Sequence, residues 1–436
     1  MKAVTRSTIV LLAVVFTTRL AAAEENRPEA DPSLAIELSN VAPNATLPDE
    51  PPRGSLVIIG GALRYSPNDV WDRIIELAGG KGAKIAVFPT ASSDPLANCS
   101  LTVEALKQAG AEPFLVPVRV TSGELDYRQA VADTKLVEQV RAAGGVYFIG
   151  GSQERITQAL GSTAGDSTPM LSAIWEVYRR GGVIAGTSAG AAVMSHQMYR
   201  YSRGVLTTLE DGVQMGKELA PGLGFLHPEW FVEQHCLVRG RFGRALVAMH
   251  TLNLKYGVGV DENTAVVVRN GREMDVIGAR GAIVMDLSQA TSDRDQRGFN
   301  LKNARLSYLD FGDAFDLAEL RLTPAAQKQA TRNLDPTGAA PQPAGGEKLV
   351  ETNILGNNTL VELMARLIES RQTEAIGLAF DAGTALKQTT SGFEFRFYRE
   401  ADSRGWYPAG THGGTYTVQN IHLDIRRIEI AGPLYK

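Results

Sequence analysis

Only two cysteines, Cys99 and Cys236, occur among the 436 residues, too few for a disulfide scaffold. The six histidines include no H-x-x-x-H pair and no Cys-His ligand cluster, so the sequence gives no support for a bound metal. Charge of one sign is missing too. With 44 Lys and Arg against 48 Asp and Glu, the formal net charge is −4, which excludes a global basic footprint for nucleic acid or an anionic membrane. Attraction for a charged substrate must therefore be local. Hydrophobic runs are also short, and the apolar stretch from Ile9 to Phe16 cannot span a bilayer.

That short run sits in a telling context. Lys2 and Arg6 precede it, and Ala21-Ala22-Ala23 offers small residues before Glu24-Glu25-Asn26. This is the order of a secretory signal, so residues 1–23 are expected to direct export, periplasmic or extracellular. Arg19 near the end of the run is an irregularity within that pattern. Residues 24–53, rich in Pro, Asn, Ala and acidic groups, read as a linker.

From Gly54 the pattern is short apolar runs ending in glycine or small polar residues, each followed by an amphipathic helix. Strands are expected at Leu56 to Ile59, Lys84 to Phe88, Pro113 to Val118, Val146 to Ile149 and Val183 to Ala185, with helices near Asn68 to Leu77, Leu101 to Ala109 and Val131 to Ala142. Continuous apolar strands alternating with helices predict an α/β fold with a mostly parallel sheet covered on both faces, binding its ligand at the carboxyl ends of the strands. This domain should run over 54–290. An extension with a Pro/Ala/Gly-rich linker follows over 291–347, and a smaller α+β region over 348–436, where Asn358 to Glu362 reads as a capping box. The last region would bind polymer, mediate homodimerisation or cover the sheet edge; the sequence leaves these open.

The stretch GVIAGTSAGAA, Gly182 to Ala192, has the G-x-S-x-G pattern of a nucleophile elbow centred on Ser188. Taken alone, it equally describes a tight strand-to-helix turn with a buried, hydrogen-bonded serine. A serine nucleophile needs a base, and the base an orienting acid. His235 sits at an expected strand end among Glu233, Gln234, Arg239, Arg241 and Arg244. Arginines at a helix start oppose its dipole unless an anion is held there, which argues for carboxylate binding. Asp261-Glu262, at the start of the strand before Thr264, supplies the candidate acid, an ordinary turn being the alternative. Gly150-Gly151-Ser152-Gln153, at another strand end, equally describes a plain strand-to-helix turn or an oxyanion hole through the amides of Gly151 and Ala189, with Gln153 available to substrate.

GGSQ at Gly150, GTSAGA at Gly186, EQH followed by R-G-R-F-G-R over Glu233 to Arg244, and D-E-N-T-A at Asp261 occur in the order seen in cyanophycinases, which the chain resembles over roughly residues 54 to 290. These belong to a serine peptidase family that also contains aspartyl dipeptidase. The resemblance implies Ser188 as nucleophile, His235 as base and then acid, Glu262 as orienting group, and Gln153, Glu233, Gln234, Arg239, Arg241 and Arg244 lining the substrate pocket. It implies hydrolysis of cyanophycin, a poly-aspartate carrying arginine on each side chain, to β-Asp-Arg dipeptides through an acyl-enzyme, without metal or cofactor. Two positions depart from the pattern: Glu233 stands where aspartate is usual, and Cys236 where a larger apolar residue is usual. An aspartyl peptidase is the alternative with the same chemistry. A non-catalytic binding protein on this scaffold would lack a triad member, and none is missing.

Overall fold

A computed structural model describes residues 52–120, 127–165, 167–329, 349–407 and 416–433. The expected signal peptide, nearly all of the first linker and residues 330–347 of the second lie outside them. The described chain runs β1 (Ser55–Ile59), α1 (Asp69–Leu77), β2 (Lys84–Phe88), α2 (Pro95–Gln108), β3 (Glu112–Leu115), α3 (Tyr127–Ala130), α4 (Thr134–Arg141), β4 (Gly145–Phe148), α5 (Gln153–Leu160), α6 (Pro169–Arg179) and β5 (Val183–Thr187). After α7 (Ala189–Ala192) come β6 (Gln197–Tyr199), α8 (Val205–Asp211), β7 (Leu219–Pro221), β8 (Trp230–Gln234), α9 (Phe242–Thr251), β9 (Tyr256–Val260), β10 (Thr264–Arg269), β11 (Glu273–Gly278) and β12 (Ala282–Asp286). The remainder is β13 (Leu301–Leu309), β14 (Ala314–Asp316), β15 (Arg321–Thr323), α10 (Ala326–Gln329), β16 (Leu349–Glu351), α11 (Thr359–Glu369), β17 (Glu374–Phe380), α12 (Ala382–Ala385), β18 (Thr390–Tyr398), β19 (Arg404–Trp406) and β20 (Thr417–Ile430).

β1 shows why these runs form a two-faced sheet. All five of its residues are buried. Leu56 and Ile58 join the core formed with α4 and α6, whereas Val57 and Ile59 join the one formed with α1 and α2. Successive side chains point to opposite faces, so an uninterrupted apolar run is what a strand covered on both sides requires. Local signals agree at α1, where Asn68 caps the amides of Val70 and Trp71. The helix expected over Val131 to Ala142 is α4, which starts at Thr134 because Asp133 accepts from the Leu136 amide and caps it there.

Two expectations are corrected. The first sheet, ordered β15-β14-β11-β10-β1-β5-β4-β2-β3, is evenly mixed rather than mostly parallel. Its parallel block, β1-β5-β4-β2-β3, gives way to antiparallel neighbours from β10 onward. Parallel pairing needs a crossover of about a dozen residues or more, and the short turn between β10 and β11 permits only a hairpin. The capping box is also absent. Asn358 takes a left-handed conformation without a side-chain cap, and the Thr359 hydroxyl turns back onto the carbonyls of Asn353, Ile354 and Gly356.

A second sheet runs β16-β17-β18-β20-β13-β12-β9-β8, with β19 on β20. The boundary expected near residue 290 falls between β12 and β13, and all of β12 pairs with Arg305 to Leu309 of β13. On β8 and β12, Val232 and Val284 face the core shared with the first sheet, while Phe231, Ile283 and Met285 face α9, α11 and the C-terminal strands.

Candidate active site

Three consecutive carbonyls at the end of β1 gather the site. Ile59 O accepts the amide of Ser188 at 3.0 Å, Gly60 O that of His235 at 2.8 Å, and Gly61 O that of Asn263 at 2.8 Å. Segments far apart in sequence, following β5, β8 and β9, are thereby pinned to one point between the sheets. The backbone there is strained. Apart from asparagines, only four non-glycine residues with positive φ are found among the described residues, and Ala62, Ser188 and His235 are three of them. Such conformations cost about 1–3 kcal/mol each and persist where surrounding structure enforces them, typically at functional sites.

Ser188, at φ 55° and ψ −110°, stands between β5 and α7. The flanking glycines are needed for space: a Cβ at Gly186 would lie 2.3 Å from the carbonyl oxygen of Gly190, and one at Gly190 would lie 2.4 Å from that of Phe148. Ser188 Oγ lies 3.0 Å from His235 Nε2, and His235 Nδ1 lies 2.6 Å from Glu262 Oε1. A carboxylate can only accept, so Nδ1 carries the proton and Nε2 offers its lone pair to the Ser188 hydroxyl. Gly61 makes room for the imidazole. At φ +126° it passes so close that a Cβ would sit 2.2 Å from His235 Cε1.

The electrostatics suit proton acceptance. Burial, then the charge of Arg239, lower the His235 pKa below the usual 6.5, against the opposing pull of Glu262. Burial would raise the Glu262 carboxyl, but the His235 hydrogen bond and the charges of His235 and Arg239 outweigh it and hold the group below its ordinary value. Asp261, the neighbouring acid, is turned away: its oxygens accept from Leu237, Val238 and Arg280.

The remaining expected residues fall beside this chain of hydrogen bonds, in unequal states. Arg244 and Glu233, 3% and 2% exposed, form a two-point ion pair with both N–O distances at 2.7 Å. The Arg244 guanidinium also lies over the Tyr199 ring at 4.6 Å and bonds Ser202 Oγ. The anion demanded by the arginines at the start of α9 is thus partly supplied by the chain itself, and Glu233 offers no free carboxylate. Arg241 donates to both Gln234 O and Gln234 Oε1; burial and the charge of Arg244 lower its pKa to about 10. Gln234 Oε1 lies 3.5 Å from Ser188 Oγ, and Gln153 Nε2 donates to Tyr199 O. Arg239 is half-exposed and reaches Glu262 at 3.5 Å. Gly151, at φ +142°, packs against Ala91, where a Cβ would lie 2.0 Å from the carbonyl oxygen, while Ala189 is buried at the first position of α7.

Sequence reasoning missed a cavity of about 490 Å³ bounded by Ala62, Leu63, Tyr65, Thr102, Tyr147 and Ile149 beside Gly150, Thr187, Ser188 and His235. Its lining carries no carboxylate, ammonium or guanidinium. The only available signals were tyrosines near two strand ends. Cys99 and Cys236 are buried and free rather than paired. Among the described residues no helix is long and apolar enough to cross a membrane.

The family model for peptidase family S51 matches residues 56–276. The chain is similar to the cyanophycinase of Nostoc sp., with 29% identity over 281 residues covering 63% of this chain and 89% of the relative. The cyanophycinase of Geminocystis herdmanii is 30% identical over 274 residues, covering 61% and 94%. Among solved structures, a peptidase from an acI-B1 Actinobacterium is 21% identical, covers 62% of this chain and 98% of its own, and superposes with a TM-score of 0.45.

Proposed function

This chain belongs to peptidase family S51 and is a serine-type peptidase, and on that premise we propose that it is an exported cyanophycinase working through an acyl-enzyme. The observation that carries the mechanism is the placing of His235 between Ser188 at 3.0 Å and Glu262 at 2.6 Å. Ser188, on a nucleophile elbow, attacks the scissile carbonyl while neutral His235 takes its proton. Anionic Glu262 holds the imidazole tautomer and stabilises the imidazolium. The amides of Gly151 and Ala189 meet the oxyanion. His235 then returns the proton to the leaving amine, and a water activated by the same imidazole releases the acyl group.

The substrate reading is supported by the similarity to cyanophycinases and by the arginine-rich wall. Arg239, whose guanidinium reaches solvent, is placed to meet a substrate carboxylate. Gln153, Gln234 and Arg241 shape the wall, and Glu233 acts by holding Arg244. Export is supported by the charged, apolar and small-residue order of residues 1–23. An aspartyl peptidase is the second reading, favoured by the closed Glu233–Arg244 pair, which leaves Glu233 unable to receive an arginine side chain.

Product release from cyanophycin, from unbranched poly-aspartate and from an α-aspartyl dipeptide tests the choice. Our reading expects β-Asp-Arg from the branched polymer and little from the others. Turnover of the dipeptide with the polymer untouched would establish the second reading instead.

A further inference from the structure

We propose that the C-terminal region braces the loop following His235 and positions His235 and Glu262 through Asn357 and Arg280. The segment Asn353 to Asn358 lies beyond the family match, which ends at residue 276, yet it packs directly on the residues that follow His235. Asn358 donates its amide to Leu237 O at 3.3 Å. Gly240, at φ +58°, passes so close that a Cβ there would stand 2.3 Å from Leu355 O. Ile354 and Leu360 share one buried core with Leu237 and Phe242.

A polar route reaches the other side of the site. Arg280 Nη1 lies 3.1 Å from Asn357 Oδ1 and 3.1 Å from Asp261 Oδ2. Asp261 is wholly buried and accepts the amides of Leu237 at 3.2 Å and Val238 at 2.9 Å. One carboxylate therefore ties the loop after His235 to the residue immediately before Glu262, with its charge balanced by an arginine that the C-terminal segment holds in place. The segment is itself anchored: Ile354 donates to Leu378 O in β17 at 3.0 Å, and the Thr359 hydroxyl closes the turn. A loop required to hold histidine at positive φ within hydrogen-bond distance of two partners gains from support on both sides, because small displacements at a reacting group carry large rate penalties. Asn357 and Arg280 touch neither Ser188 nor His235, so they are positioning residues.

The proposal rests on Ser188, His235 and Glu262 being the working group, and two readouts keep the claims apart. One is the labelling rate of Ser188 by a fluorophosphonate probe; the other is kcat and KM on cyanophycin. Asn357 is exposed, so Asn357→Ala should fold with a nearly unchanged Tm. We expect Asn357→Ala and Arg280→Gln each to lower both labelling rate and kcat by about fivefold, with KM within about twofold. The acid limb of the rate profile should rise toward that of an ordinary imidazole as water reaches His235. Asn357→Asp, which keeps the acceptor for Arg280, should remain within about twofold of wild type on both readouts. Unchanged labelling and kcat in a reactive background would overturn the brace, as would losses that merely follow the folded fraction. A wild type inert to probe and polymer alike would overturn the underlying reading, and the brace with it.

Discussion

The carbonyl oxygen of Gly60 accepts the amide hydrogen of His235 at 2.8 Å, between neighbouring carbonyls that hold Ser188 and Asn263. The end of β1 is consequently the point from which the site is built. None of the three atoms in that arrangement belongs to a side chain. Substitutions near the strand end should therefore act through geometry.

Gly61→Ala tests this most simply. The added methyl would meet the imidazole at 2.2 Å and require φ +126° of an alanine. Displacing His235 by about 1 Å should cut kcat by roughly a hundredfold. Steady-state kinetics beside a melting curve decide it: wild-type kcat would mean the ring has room that this structure denies.

Glu233→Gln leaves the Arg244 guanidinium buried without its counter-charge. Breaking one side of a buried pair costs about 3–5 kcal/mol, so denaturant unfolding should show a clear fall in midpoint. Glu233→Asp keeps the charge and should lose less. Equal midpoints for wild type and the Gln variant would mean that the pair contributes little, and that Glu233 is free for substrate after all.

The pH dependence follows from the signs of two interactions. In the proposed mechanism His235 is neutral when it accepts the serine proton, and burial lowers its pKa below the usual 6.5, so the acid limb of kcat/KM should fall with an apparent pKa below that value. Removing Arg239, which lowers it, should move the limb upward in Arg239→Gln. Removing the Glu262 charge, which raises it, should move the limb downward in Glu262→Gln. Stability linked to His235 should be complete above pH 6.5 and decline as pH falls through its native pKa, because protonation is disfavoured in the folded state. A limb that shifts the same way in both variants would contradict the assignment.

Glu262→Gln should also reduce turnover by roughly a thousandfold or more while the fold survives, since an amide cannot fix the same tautomer or stabilise the imidazolium. Circular dichroism and progress curves settle this together. Retained turnover would remove Glu262 as the orienting group.

Much of this site was legible because short-range chemistry leaves marks in sequence. Glycines around Ser188, a histidine after an apolar strand and an acidic pair before another strand each reflect a local requirement. What could not be read was set by partners remote in sequence. Glu233 looked like an open charge, and only folding brings both its oxygens onto Arg244. At Gly60 and Gly61 nothing along the chain shows that His235 lies against them. The second sheet was invisible for the same reason: β12 and β13 carry unremarkable apolar residues, and their pairing removes the boundary that the change in composition suggested. At Asn358 the local signal itself misled, since Thr359 prefers three carbonyls of the preceding turn to the cap.

The most direct test of the whole account is incubation of the purified protein with insoluble cyanophycin beside its Ser188→Ala variant, following β-Asp-Arg by mass spectrometry. The account predicts steady release by the wild type and none above background by the variant. No release by the wild type, or equal release by both, would contradict it.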